Sequence, residues 1–494
     1  MRSKFFAVLI VMMTAVSHLQ AQQAQLQEVF ENNELMGMSV AIVCHDGIET
    51  FHFGLKDYDR ELTVDDSTMY RIASISKLVT AMALMRLYEE GAFGLDDDVS
   101  DALGFEFRNP NWPDIPVTYR MLLSHTSGFQ DGTGYGDFLA DTYGTETPPS
   151  VAELALPGAD YYTSNMWRQE ETGTYFTYAN ANYGIIGTLI ESLSGQRFDI
   201  YMREHILEPL GIAGSFNVND IENIDNVAVL YRNTGGWTPQ ADNYQGDQPI
   251  LPTLDNYVPG TNGFVFAPQG GLRASAFDLA RIILVFSGND AGLDSPLSDA
   301  TVALMQQPQW VYDGNNGDNY YGLFRSWGLG VHRTTDTSGG DHVWEDDLFR
   351  GHPGEAYGLI SDLYWREDNV AGFVFLTNGA WNGYEFGDLS AYYSVEEEVF
   401  AAINAGNVWG CELGIAEHKN DISIYPNPTS IGRVMISGPK PDKVELLSSQ
   451  GSLQGQLTFA SGDWILGGVA PGYYVLRINY GTHSAYLPFV VSTQ

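Results

Sequence analysis

The chain has 494 residues, long enough for two or three domains, and 44% of them are hydrophobic, which excludes wholesale disorder. Its formal charge of −38 excludes a nucleic-acid partner, which would require clustered Lys and Arg.

The first residues read as a signal peptide. Arg2 and Lys4 precede an apolar run from Phe5 to Val16, and Leu19-Gln20-Ala21 offers a small-residue cleavage site. No later stretch has the length of apolar sequence that a membrane helix needs, so an exported chain without a transmembrane segment is expected. Cys44 and Cys411 are the two cysteines, and export permits a disulfide without requiring one. There is no CxxC or HExxH, and the ten histidines lack metal-ligand spacing. Neither a metal nor another cofactor is expected.

Met38–Cys44 and Glu49–Gly54 read as a hairpin around His45-Asp46-Gly47. A helix follows over residues 75–90, with Ile75, Leu78, Val79, Met82 and Met85 on an apolar stripe and Gly91 as its stop. At its start stands Ser74-Ile75-Ser76-Lys77. Positions i and i+3 share a helix face, so the hydroxyl and the amine can meet there. A buried lysine with a lowered pKa can take the proton that makes a serine nucleophilic. The helix start also gives the Ser74 N–H a place beside an oxyanion. The pattern recurs at Ser437-Gly438-Pro439-Lys440, where Gly-Pro forbids a helix. Lysine usage favours the first match: between residues 22 and 418 the chain has only Lys56 and Lys77.

Farther along, Ser124-His125 invites comparison with a Ser-His-acid triad, but no G-x-S-x-G elbow supports one, and a structural turn is the better reading. Tyr178-Ala179-Asn180 offers a phenol to relay a proton and an amide to hold a substrate carbonyl, ahead of a helix over Asn182–Leu193. His352-Pro353-Gly354 leads into a strand, followed by strands over Tyr357–Leu363 and Val370–Thr377 and a helix over Val395–Ile403. Strands at both ends with helices between predict one sheet completed by the two termini, with an inserted helical region. Three long connections, about 130–170, 233–270 and 307–350, are long enough to wall a cleft.

A charge boundary then marks a second unit. Residues 22–408 hold 17 Lys+Arg against 56 Asp+Glu, whereas residues 409–494 hold five against six. Short apolar runs separated by Gly, Pro and Ser predict a small β-sandwich over 421–494, joined by a linker at 409–420.

Taken together and in order, Ser74-Ile75-Ser76-Lys77, Leu122–Phe129, Tyr178-Ala179-Asn180, Gly270–Ser275 and His352-Pro353-Gly354 resemble the class C β-lactamase and DD-peptidase family, which also includes esterases and D-aminopeptidases. The resemblance spans roughly residues 25–405. It implies an α/β (α+β) β-lactamase/transpeptidase-like fold, with an antiparallel sheet flanked by helices. It also implies Ser74 as the acylated nucleophile, Lys77 and Tyr178 as the proton-transfer pair, and Asn180 as the amide contacting the substrate. His352 and Gly354 match the third motif, and Glu355 would supply the second oxyanion N–H. The family's lactamases carry Lys-Thr-Gly there, so His352 and Pro353 weaken the case for binding a substrate carboxylate. The tail resembles the type A sorting domain of the type IX secretion system through Ile424–Pro428, Gln450-Gly451 and Val469–Leu476. The expectation is therefore an exported serine hydrolase of esters or D-amino-acid amides and peptides, secreted or at the cell surface, with secretion machinery engaging its C-terminal domain. A β-lactamase or DD-carboxypeptidase, and a silent binder of peptides or wall fragments, are the alternatives.

Overall fold

The computed structural model describes residues 21–405, apart from 45–46, 289–292 and 368–370, together with strand segments between 424 and 491. The signal segment and the 409–420 linker lie outside the described residues, as does Cys411; Cys44 is disulfide-bonded.

Among the described residues, nine strands of the body belong to one antiparallel sheet, eight of them in a row with Leu62–Thr63 paired to the first. Their order is Gly47–Asp57, Gly37–Cys44, Gly372–Thr377, Leu359–Arg366, Phe349–Ala356, His332–Arg333, Ser326–Trp327 and Trp310–Val311. Both termini of the body thus meet at the sheet's centre, and both faces are covered. Side chains alternate across the pleat. Ala41, Val43, Leu363, Val374 and Leu376 join one core under the central helices. Val40, Ile42, Tyr364, Phe373 and Phe375 join the other, with the C-terminal helix Ser394–Ala405. That is why Gly37–Cys44 reads as an unbroken apolar run: all eight of its residues are buried.

The helix Ile75–Glu89 differs from the amphipathic expectation. It is buried nearly all round, from Ile75 to Met85 without interruption. A helix apolar on every side belongs in a core rather than on it. It packs between the sheet and the helix Asn180–Ser194.

The His352 motif also differs from expectation. It lies inside the strand Phe349–Ala356 rather than before it. That strand is paired along its length to Leu359–Arg366, but on its other side only Arg350 and Gly351 are paired. Pro353 has no N–H to give, and an open strand edge needs none.

In the tail, strands from Ile424 onward are antiparallel, and His483–Val491 continues the body's sheet through three residue pairs with Glu49, Thr50 and Phe51.

Candidate active site

Ser74 sits between two devices. The short strand Tyr70–Arg71 pairs with Arg273–Ala274, and Ile72 N–H donates to the Leu272 carbonyl at 2.9 Å. Ala73 then takes a left-handed φ of 48°, a strained turn for a residue with a Cβ. This turn delivers Ser74 to the first position before the helix, where its hydroxyl caps no backbone N–H. The hydroxyl is therefore free for Lys77.

Lys77 is fully buried, and its Nζ lies 2.9 Å from Ser74 Oγ, 2.8 Å from Asn180 Oδ1 and 2.8 Å from the Gln269 carbonyl. Burial pulls its pKa down to about 7, against the opposing charge of Asp131. The partners also orient the neutral amine. Asn180 Oδ1 and the Gln269 carbonyl can only accept, so they take its two N–H groups. The lone pair is left facing Ser74, whose hydroxyl is the one partner able to donate.

Tyr178 faces the same pair. Its hydroxyl lies beside Ser74, and its ring centroid is 5.0 Å from Lys77 Nζ. Burial raises its pKa well above the usual phenol value. At neutral pH the tyrosine keeps its proton while much of the lysine has lost its own, so Lys77 is the group able to accept a proton and Tyr178 the one able to donate.

Asn180 is the first residue of its helix, and both ends of its amide are occupied. Oδ1 accepts from Lys77, while its backbone N and Nδ2 donate to Asp131 Oδ2 at 3.1 and 2.8 Å. The Ala181 N–H donates to Asp131 Oδ1 at 2.7 Å. Asp131 thus caps the helix from outside and fixes the amide. Sequence reading did not single it out, nor the carbonyl of Gln269; a carbonyl leaves no mark in residue type, and Asp131 lies 49 positions from its partner.

Gly354 lies against the backbone of Ser74. A Cβ there would come within 3.0 Å of Ser74 N and 2.9 Å of the Ile72 carbonyl, so no other residue fits. Glu355, two positions after Pro353, presents its N–H to the same edge of the strand because backbone direction repeats every second residue. His352 is fully buried, and burial and Lys77 push its pKa well below the ordinary value. Its Nδ1 lies 2.6 Å from the Pro353 carbonyl, and its ring packs on Tyr178 and Trp327.

Ser124 and His125 do not meet as a catalytic pair. Ser124 Oγ donates to the Arg120 carbonyl at 2.8 Å, while His125 Nδ1 accepts from the Ala179 N–H at 3.1 Å. His125 stacks within 4.6 Å of Tyr178 and holds the turn that carries it.

Each long connection brings a residue to the cleft: Asp131 and Tyr143 from the first, Gln269 from the second, Tyr320 from the third. Arg273, a cation near the site by sequence, is committed elsewhere. It is buried, its Nη2 lies 2.8 Å from Asp242 Oδ1, and Arg71 Nη2 shares that oxygen at 3.0 Å.

The family described as Beta-lactamase matches residues 20–391. The chain is 26% identical over 195 residues to "Protein flp" of Staphylococcus aureus, a match covering 38% of this chain and 37% of that protein's length. It is 25% identical over 363 residues to "Penicillin-binding protein 4" of Amycolatopsis lactamdurans, covering 72% of this chain and 85% of that one. In fold it is similar to a D-amino acid amidase from Ochrobactrum anthropi SV3 complexed with L-phenylalanine amide. That likeness has a TM-score of 0.57 and 18% identity, and covers 79% of this chain and 98% of the amidase.

Proposed function

The chain belongs to the beta-lactamase family, and on that premise we propose that it is a serine hydrolase forming an acyl-enzyme on Ser74 with amides or peptides of D-amino acids, or with small esters. The observation that carries this reading is the buried Lys77 amine, drawn down to about 7 and aimed at the Ser74 hydroxyl from 2.9 Å. In this reading neutral Lys77 takes the Ser74 proton as Oγ attacks the substrate carbonyl. The N–H groups of Ser74 and Glu355 receive the oxyanion. Tyr178 passes its proton to the departing nitrogen or oxygen and regains one from Lys77, and water then releases the acyl group by the same relay in reverse.

The substrate preference rests on charge. Asp131 and Glu355 both act on Tyr320 at the cleft, whereas Arg71 and Arg273 are paired with Asp242, Arg232 acts on Glu355, and burial disfavours the charged form of His352. A carboxylate thus finds no unpaired surface cation among these groups, and a cationic or neutral substrate meets favourable charge. The fold likeness to a D-amino acid amidase is consistent with that preference. A p-nitrophenyl ester, a D-alanyl amide, a D-Ala-D-Ala peptide and nitrocefin, assayed at low and high salt, test it. The amide or ester is expected to give the higher kcat/KM, and nitrocefin clearly ahead would restore a β-lactamase assignment.

The amino-terminal segment and the tail are proposed to act in export, the tail as the address read by secretion machinery. Its resemblance to sorting domains supports this.

A further inference from the structure

Beyond Tyr178 the rings continue outward in unbroken contact. Tyr320 lies 6.0 Å from Tyr178 between centroids, Tyr321 lies 6.2 Å from Tyr320, and Phe386 lies 6.1 Å from Tyr321. Tyr393 follows at 5.6 Å and stacks on Tyr384 at 5.2 Å. The middle of this run is in water: Tyr320 is 47% exposed, Phe386 60% and Tyr321 83%.

Such exposure is costly, and the backbone makes it deliberate. Tyr320 and Tyr321 hold left-handed φ angles of 53° and 60°, a conformation that bulky residues avoid. They are kept there by Asp318 Oδ1, which accepts from Tyr320 N–H at 3.1 Å, and by the Asn319 carbonyl, which accepts from Phe324 N–H at 2.9 Å. The loop carrying Phe386 is equally fixed. Glu397 accepts from the N–H groups of Asp388, Leu389 and Ser390, and Gly387 N–H donates to the Tyr392 carbonyl at 2.8 Å. Rings carried on a backbone fixed in advance lose less entropy when a flat group settles on them.

We propose that Tyr320, Tyr321 and Phe386 form a subsite for an aromatic leaving group, the part of the substrate that departs past Tyr178. The direction follows from the run's origin: it starts at the phenol that hands its proton to the departing atom. The charge follows as well, because Tyr320 lies in the field of Glu355, Asp318 and Asp131, so an aromatic amine is favoured over an aromatic acid. The substrate class is thus an arylamide or aryl-bearing amide of a small D-amino acid. The assignment rests on the hydrolase reading above.

The test uses Tyr321→Gly, which also relieves the φ strain, and Phe386→Ala, singly and together. Both side chains are exposed, so folding is not at stake. Turnover of D-alanine 2-naphthylamide is compared with that of D-alaninamide, which shares the acyl part and lacks the ring. The double variant is expected to lose roughly 10-fold or more in kcat/KM on the naphthylamide and to keep its rate on D-alaninamide. Equal losses on both, or no loss on either, overturn the subsite. A second arm titrates D-alanine 2-naphthylamide calorimetrically into the Ser74→Ala protein, with and without the two ring substitutions. Binding weakened by the ring substitutions without turnover by the parent enzyme would sink the hydrolase reading and leave the subsite standing. Turnover by the parent with binding indifferent to the rings would do the reverse.

Discussion

At the scale of single residues, the chemistry depends on where Lys77 loses its proton. Burial lowers its pKa to about 7 and the Asp131 carboxylate opposes that fall. The base is active when neutral, so kcat/KM should rise with pH through about 7 and level off above it. Asp131→Asn removes a charge that favours the ammonium. The Lys77 pKa should therefore fall further, and the rising limb should move to lower pH. The same change loosens Asn180, which loses part of its grip on the helix start, so kcat should drop as the limb moves. Asp131→Glu should restore the limb toward its original position. A pH profile of the three proteins checks this, and a limb that stays put or moves upward would remove Asp131 from the account. Burial pushes the His352 pKa well below its ordinary value, so the rising limb near 7 should not belong to it.

At the scale of elements, the nucleophile depends on a buried ion triad some distance from it. Asp242 binds Arg71 and Arg273, which lie on the paired strands Tyr70–Arg71 and Arg273–Ala274 that lead into Ser74. The two guanidinium groups hold its carboxyl far below the usual range despite its burial. The stabilisation is therefore present above the unfolded pKa and is lost only as pH falls through the depressed folded value. Asp242→Ala leaves the buried Arg273 and the partly buried Arg71 without their carboxylate. It should cost about 3–5 kcal/mol at neutral pH by urea denaturation, and a loss under 1 kcal/mol would contradict the triad's role. The elements also show what sequence can carry. The helix Ile75–Glu89, the hairpin Gly37–Asp57 and the strand Gly372–Thr377 were legible because local periodicity and turn residues mark them. Ser74, Lys77, Tyr178 and Asn180 were legible as short motifs. The full burial of the helix was not, since an apolar stripe and an apolar cylinder differ only by what packs on the far side. Asp131, Gln269 and the ring run were also out of reach. Each acts through a contact made across the fold, and none belongs to a local pattern.

At the scale of the whole molecule, the acidic body and the near-neutral tail meet, among the described residues, along one strand edge. The tail strand His483–Val491 pairs with only three residues of Gly47–Asp57, and Arg477 reaches Asp66 at 3.2 Å. Among the described residues, the body's two cores are built from its own elements, with Leu447 the one tail residue that joins them. A chain truncated after Ala405 should therefore fold and hydrolyse substrate at close to the full rate while failing to reach the cell exterior. Loss of soluble fold, or normal delivery without the tail, would contradict that division of labour. The claim beneath every other is that Ser74 is acylated with Lys77 as its base. Labelling the intact protein with a fluorophosphonate and mapping the adduct by mass spectrometry tests it most directly. The account predicts a single adduct on the peptide carrying Ser74, formed at least roughly 10²-fold more slowly in Lys77→Arg, because arginine cannot give up its proton. An adduct on another serine, or equal labelling of the Lys77→Arg protein, would contradict it.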